Sequence, residues 1–394
     1  MLVIKNGSVF INGDITKKDI LIEDGKISNI SSSLDGTETI DASGKIVLPG
    51  LIDPHVHLRE PGDIYKEDFI TGSKAAIAGG FTTVMDMPNN KFPTITKQKL
   101  DEKIQLAKKA VCDILFHFGG TDDNFDEVKK ADPQSLKLYL GETTGMLILK
   151  NQDSIEKHFN IFPKERPIVL HASDHSKDES VNLPKTYATV ENASNLAKKT
   201  NRRIHLAHAS TKKEIEIAKQ YNNFTVEAAP HYLFLSSNDA KKLGVFGKVY
   251  PPLRSEKERS EIWQVLQKVD CIATDHAPHT KEDKENGCAG FPGLETSLAL
   301  MLRGSDLGLI DRKWVFKSMS ENPARLFNIQ KKGRIEKGFI GDITILDPNK
   351  VWKVKGEETE TKCKWSPFEG MELKGKVHSV IKSGNLIYHE YEFV

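Results

Sequence analysis

The middle of the chain repeats one pattern, a short β-prone apolar run followed by a stretch with helical period. Eight such runs stand in order: GLIDPHVHL, TTVMDM, DILFHF, SLKLYL, PIVLHA, RIHLAHA, FTVEAA and DCIATDHA. Amphipathic segments lie between most of them, among them the one from Thr96 to Ala110 and ENASNLAKKT. Strands alternating with helices predict βαβ units and a parallel sheet. Eight units between residues 51 and 335 fit an α/β fold of the (β/α)8 TIM-type barrel class, for which about 250 residues is usual. Strand counting alone leaves a doubly wound open sheet as the alternative.

The two flanks have another texture. Residues 1–50 read as short β segments broken by Gly, Asn and Asp turns (LVIKNGSVFI, DILIEDGKISNI, TIDASGKIVLPG), and GDITILD, KVHSVIKSG and NLIYHEYEFV resume it near the C-terminus. They predict one discontinuous β-rich, sandwich-like domain, 1–50 with 336–394, around a barrel of 51–335. A chain of 394 residues exceeds what one hydrophobic core usually serves, which suits such a division.

Lys and Arg (56) balance Asp and Glu (55), leaving a net charge of +1. No basic excess points to nucleic acid or a membrane surface. The start, MLVIKNGSVFINGD, lacks the apolar core and small-residue cleavage site of a signal peptide, so a cytoplasmic location is expected. Cys112, Cys271, Cys288 and Cys363 form no close pair and no CxxC pattern. Any metal must therefore be held by histidines and carboxylates.

Such residues cluster at the carboxyl ends of particular runs, where barrel active sites sit. His55 and His57 lie two apart on the first, so both point to one face. Lys137 sits in the fourth, His171 ends the fifth, His208 the sixth and Asp275 the eighth. Imidazoles and a carboxylate from separate strands can converge there on zinc or a similar divalent ion. An isolated HxH is more often a pair of ordinary strand histidines; agreement across five strands carries the assignment.

Lys137 needs its own explanation, because an ammonium repels a metal. Leu136, Leu138 and Leu140 surround it, and desolvation in an apolar strand lowers a lysine pKa. A neutral amine can add CO2 and give a carbamate whose two oxygens can bridge two metals. The other reading pairs Lys137 with an acid at the barrel mouth, and sequence physics alone leaves both open.

The run DPHVHLREPGDIYKEDFITGSKAAIAGGFTTVMDMPNN resembles the opening barrel segment of dihydroorotases. SLKLYLGETTG, IVLHA, HLAHAST, PPLRSEKERSEIW, ATDHAPHT with GLETSL after it, ENPARLF and SPFEGMELKGKV extend the likeness to the C-terminus. The resemblance is to the class I branch within the amidohydrolase superfamily. It implies cyclisation of N-carbamoyl-L-aspartate to L-dihydroorotate, the third step of de novo pyrimidine synthesis.

Carried over by motif, the resemblance implies two zinc ions, one on His55, His57 and Asp275 and one on His171 and His208, bridged by carbamylated Lys137. His208 is taken from HLAH because it precedes AST; His205 is read as structural, and His117, His175 and His231 receive no role. Asp275 is also the implied general base and acid. Arg59, with Asn89 and His279, is implied to take the substrate carboxylate in place of a surface ion pair with Glu60 or Asp63. Tyr250, where many members have Asn, and the loop 281–293 depart from the pattern. A homo-oligomer or association with a transcarbamoylase is the implied assembly. The competing readings are an allantoinase or a hydantoinase on the same scaffold, and a non-catalytic relative, which would typically have lost metal ligands.

Overall fold

The apolar runs form parallel strands that pair in chain order. Leu51–Val56 pairs with Phe81–Asp86, and that strand with Asp113–Phe116. The third strand resumes beyond His117 as Phe118–Gly119 and pairs with Leu136–Tyr139. Ile168–His171, Ile204–Leu206, Phe224–Ala228 and Cys271–Ile272 follow. A parallel bridge from Val56 to His276 returns the eighth strand to the first. The sheet is thus a closed barrel, and the open-sheet alternative is excluded. This computed structural model describes residues 1–141, 147–174 and 179–394, with backbone alone for 179–181. His175 lies outside the described residues.

Every residue of the first, second, fourth and fifth strands is buried, since one face meets the barrel interior and the other the helix layer. His117 occupies the break in the third strand. Its Nε2 donates to Pro54 O (2.8 Å) and its Nδ1 meets Ser135 Oγ (2.7 Å), tying the first strand to the entry of the fourth. Burial pushes its pKa down to about 3, so the ring there is neutral.

Helices begin where side chains cap them. Asp68 accepts from Ile70 N and Thr71 N at the head of Phe69–Ala78, and Thr96 accepts from Lys99 N at the head of Lys97–Leu106. The helix expected from Thr96 to Ala110 ends at Leu106 and tightens into a 3-10 turn, Ala107–Lys109. ENASNLAKKT closes the helix Glu179–Thr200. No helix among the described residues is long and apolar enough to cross a membrane.

Both chain ends meet in one seven-stranded sheet. Ile343–Lys353 pairs antiparallel with Ile46–Pro49 on one side and Glu372–Lys382 on the other; Ser8–Ile11 pairs with Ile46–Pro49 in turn. A four-stranded sheet of Lys26–Ser31, Asp19–Glu23, Leu2–Lys5 and Glu38–Asp41 lies with it. Leu2, Ile4, Ile20 and Ile40 share a core with Ile335, Phe339, Ile343 and Ile381. On that packing we propose the division 1–50 with 336–394 against 51–335. Gly50 stands at the junction between them, where a Cβ would lie 2.2 Å from Thr82 Oγ1, so a side chain there would force a shift.

Candidate active site

The strand ends surround a cavity of about 470 Å³. His55, His57, Lys137, His171, His208 and Asp275 all line it. His55 Nε2 and His57 Nε2 lie 3.3 and 3.2 Å from Asp275 Oδ1. One donor atom each of His55, His208 and Asp275 fall within 4.8 Å of one another, and His171 Nδ1 lies 2.8 Å from His208 Nε2. The structure thus brings all six residues together. A larger cavity, about 700 Å³, lies where the barrel meets the seven-stranded sheet and contains none of them.

Burial sets the charge states. It lowers His57 to about 4 against the opposing pull of Asp275, so the imidazole is neutral and its lone pair available. Burial acts to raise Asp275, but His55, His57 and His208 overcome it and hold the carboxylate far below its usual range. Three residues around the cavity, Arg59 (φ 66°), His208 (φ 39°) and Asp275 (φ 49°), adopt the left-handed backbone region. Non-glycine residues there cost about 1–3 kcal/mol each.

Lys137 is buried, and its Nζ has no hydrogen-bond partner among the described residues. The expected alternative, pairing with an acid, has no carboxylate contact to support it there. Desolvation lowers its pKa to about 8, opposed by the charges of Glu227 and Asp275.

Glu227 escaped the reading of the sequence. It ends the seventh strand under the cavity, and its carboxylate accepts from His55 Nδ1, His205 Nε2 (3.0 Å) and His208 N (3.0 Å). Burial acts to raise its pKa, but His55 and His205 hold it well below the carboxylate range. His205, with Thr225 on its other nitrogen, belongs to this support and not to the cavity wall. The signal available was an acid inside the apolar run TVEAA. Asp53 is a second case: buried, it accepts from Thr274 N, Thr274 Oγ1 and His55 N, locking the first strand to the eighth beside Asp275.

The donor set fits a divalent metal. Neutral imidazoles and an ionised carboxylate are the ligands of a borderline cation. Glu227 behind His55 Nδ1 leaves Nε2 for the cavity, the arrangement that orients metal-binding histidines. An unpartnered buried amine beside them is unexplained without a further group.

Arg59 and Asn89 also line the cavity. Arg59 is anchored by Nε donating to Pro278 O (3.0 Å). His279 is not on the cavity wall; its Nε2 lies 3.1 Å from Arg59 Nη2 and 3.0 Å from Ala289 O. Lys66 Nζ, a donor only, faces its Nδ1 at 3.4 Å. Nε2 then carries the hydrogen and donates to Ala289 O, so Arg59 Nη2 cannot donate to it. Tyr250 forms part of the wall, and the unusual loop supplies Ala289 and Gly290. Buried Lys284 supports that loop by donating to Lys248 O (2.6 Å) and Gly290 O (3.1 Å).

The amidohydrolase family profile matches residues 46–387. The chain belongs to the amidohydrolase family. This amidohydrolase is 38% identical over 397 residues to a dihydroorotase of Pyrococcus abyssi, covering 98% of the chain and 95% of that relative. It is 37% identical over 362 residues to the multifunctional protein CAD of Squalus acanthias, covering 88% of the chain and 15% of that protein. Among solved structures, an L-hydantoinase (dihydropyrimidinase) from Arthrobacter aurescens superposes with a TM-score of 0.94 at 29% identity, covering 100% of this chain and 97% of that one. The barrel with a β-rich domain from both ends, expected from the strand pattern, is thereby borne out. This amidohydrolase is an enzyme acting on cyclic amides.

Proposed function

We infer that this amidohydrolase is a dihydroorotase, closing N-carbamoyl-L-aspartate to L-dihydroorotate with loss of water and catalysing the reverse hydrolysis. The observation that carries this reading is Arg59, held on the wall of the same cavity as the histidines and Asp275. Dihydroorotate bears a carboxylate, which a guanidinium fork matches; hydantoin, dihydrouracil and allantoin bear none. Asn89 Oδ1, on the same wall, is buried with no hydrogen-bond partner among the described residues, an acceptor suited to a ligand N–H, while its Nδ2 can donate to a carboxylate. We assign the carboxylate to Arg59 and Asn89, with His279 beside Arg59.

Zinc suits this donor set: His55, His57 and Asp275 would hold one ion and His171 and His208 a second, with Lys137, as its carbamate, a further ligand. Bound there, the ions would bring the pKa of water toward neutrality and polarise the amide carbonyl. Asp275 takes the proton from the attacking water and returns it to the ring nitrogen as the amide C–N bond breaks. Its low pKa keeps it ionised at neutral pH. In the synthetic direction the same carboxylate removes the proton from the carbamoyl nitrogen as the ring closes. We place this reaction as the third step of pyrimidine synthesis, in the cytoplasm. A transcarbamoylase partner has support in the shark relative, a multifunctional protein.

A hydantoinase is the second reading, favoured by the close superposition on one. Purified protein assayed with dihydroorotate, hydantoin, dihydrouracil and allantoin separates the two. Turnover of dihydroorotate is expected to dominate; turnover confined to the substrates without a carboxylate would overturn the assignment.

A further inference from the structure

Lys103 lies on the helix Lys97–Leu106, well outside the cavity lining, yet it is completely buried. Its ammonium meets three acceptors on the loop that leaves the second strand: Asp86 Oδ2 at 2.7 Å, Met87 O at 2.8 Å and Asn90 Oδ1 at 2.6 Å. Asp86 is itself completely buried. A lysine and an aspartate removed from water on this scale bring little net stability, and a well-packed apolar pair would often serve as well. A buried pair that brings so little net stability points to a task of positioning.

The partners of Lys103 show what is positioned. Asp86 Oδ1 accepts from Leu58 N (2.7 Å), and Asn90 Nδ2 donates to Glu60 O (3.0 Å). Leu58 and Glu60 are the residues on either side of Arg59. Lys103 therefore joins the two side chains that grip the backbone before and after Arg59, whose φ of 66° is one that arginine rarely adopts unaided. Two of its three acceptors, Met87 O and Asn90 Oδ1, also flank Asn89. One ammonium thus ties together the segments that present both carboxylate-binding side chains.

We propose that Lys103 is a positioning residue for substrate specificity, setting the aim of Arg59 through Asp86 and Asn90. This rests on Arg59 as the carboxylate anchor. A lysine with a purely structural role would, when replaced, lower melting temperature and yield while leaving the KM of the folded enzyme alone. A positioning lysine moves KM more than kcat, because Lys137, His171, His208 and Asp275 lie on other strands and His55 is held separately by Glu227.

The test is steady-state kinetics with dihydroorotate on the metal-loaded variants Lys103→Met, Arg59→Met and the double variant, each normalised to folded protein by circular dichroism. Lys103→Met is expected to raise KM at least tenfold with kcat within about threefold of the parent. The double variant's KM should lie within about threefold of Arg59→Met alone, since the lysine acts through the arginine. An unchanged KM in folded Lys103→Met, with KM raised in Arg59→Met, overturns this proposal and leaves the dihydroorotase reading standing. An unchanged KM in Arg59→Met overturns the carboxylate anchor and this proposal with it. Should Lys103→Met fail to fold, Asn90→Ala carries the test. That variant keeps the Asp86–Lys103 pair and frees Glu60 O; a raised KM supports the proposal, and a parental KM overturns it.

Discussion

His55 Nδ1 rests on the carboxylate of Glu227, which leaves Nε2 of the same ring facing Asp275 across the cavity at 3.3 Å. The acid fixes both the tautomer and the tilt of the imidazole. Outer partners of this kind typically account for 10–100-fold in metal affinity. Glu227→Gln keeps the shape but turns one acceptor into a donor facing a donor. Its zinc Kd, measured by chelator competition, is expected to rise by about 10–100-fold. A parental Kd would remove Glu227 from the support of the metal site.

Lys137 gives a pH dependence. Only the neutral amine adds CO2, forming an N–C bond and releasing a proton. Burial lowers the pKa from the ordinary 10.5 to about 8, so the reactive form grows as pH rises through 8 rather than through 10.5. Metal-free protein in 13C-bicarbonate should therefore gain a carbamate carbon signal between pH 7 and pH 9, and Lys137→Met should not. The same signal in Lys137→Met would place the carbamate elsewhere.

What could be read in the sequence follows a physical division. Barrel strands are buried on both faces, so they stand out as apolar runs, and a histidine or aspartate at the end of such a run is conspicuous. His55, His171, His208 and Asp275 were visible for that reason. Glu227 and Lys103 were equally anomalous, an acid in TVEAA and a lysine three residues after buried Leu100 on one helix face. Their meaning was hidden because Glu227 meets His55 only across the closed barrel, and Lys103 meets Asp86 only once its helix packs back on the second strand. The left-handed backbone of Arg59 had no local signal at all, since no glycine marks it. The pairing of Ile46–Pro49 with Ile343–Lys353 is likewise a register set by tertiary packing.

Gly50 joins the β-rich domain to the first barrel strand with Thr82 against its α-carbon. Gly50→Ala would place a methyl 2.2 Å from Thr82 Oγ1 and 2.6 Å from Thr82 Cγ2, and the backbone must shift to relieve it. Overpacking of this kind costs about 1–3 kcal/mol. Thermal denaturation should show a lower melting temperature, and Gly50→Ala with Thr82→Ser should recover part of the loss by removing the Cγ2 contact. Equal melting temperatures for parent and Gly50→Ala would show that the junction yields freely.

Trp365 reaches from the C-terminal segment to the loop beyond the eighth strand, its Nε1 donating to His279 O at 2.7 Å while its ring meets Phe291 edge-on. His279 Nε2 lies 3.1 Å from Arg59 Nη2, so the contact also bears on the residue beside the carboxylate anchor. Trp365→Phe removes the donor and keeps most of the ring. Leaving one buried carbonyl without its partner costs about 1–3 kcal/mol, read as a lower melting temperature. Because Asp275 and the histidines are held by other contacts, the kinetic effect should fall on KM for dihydroorotate, with kcat nearly unchanged. A loss of kcat at constant KM would instead mean that Trp365 holds Asp275, through the short link from His276 to His279, and not the carboxylate anchor.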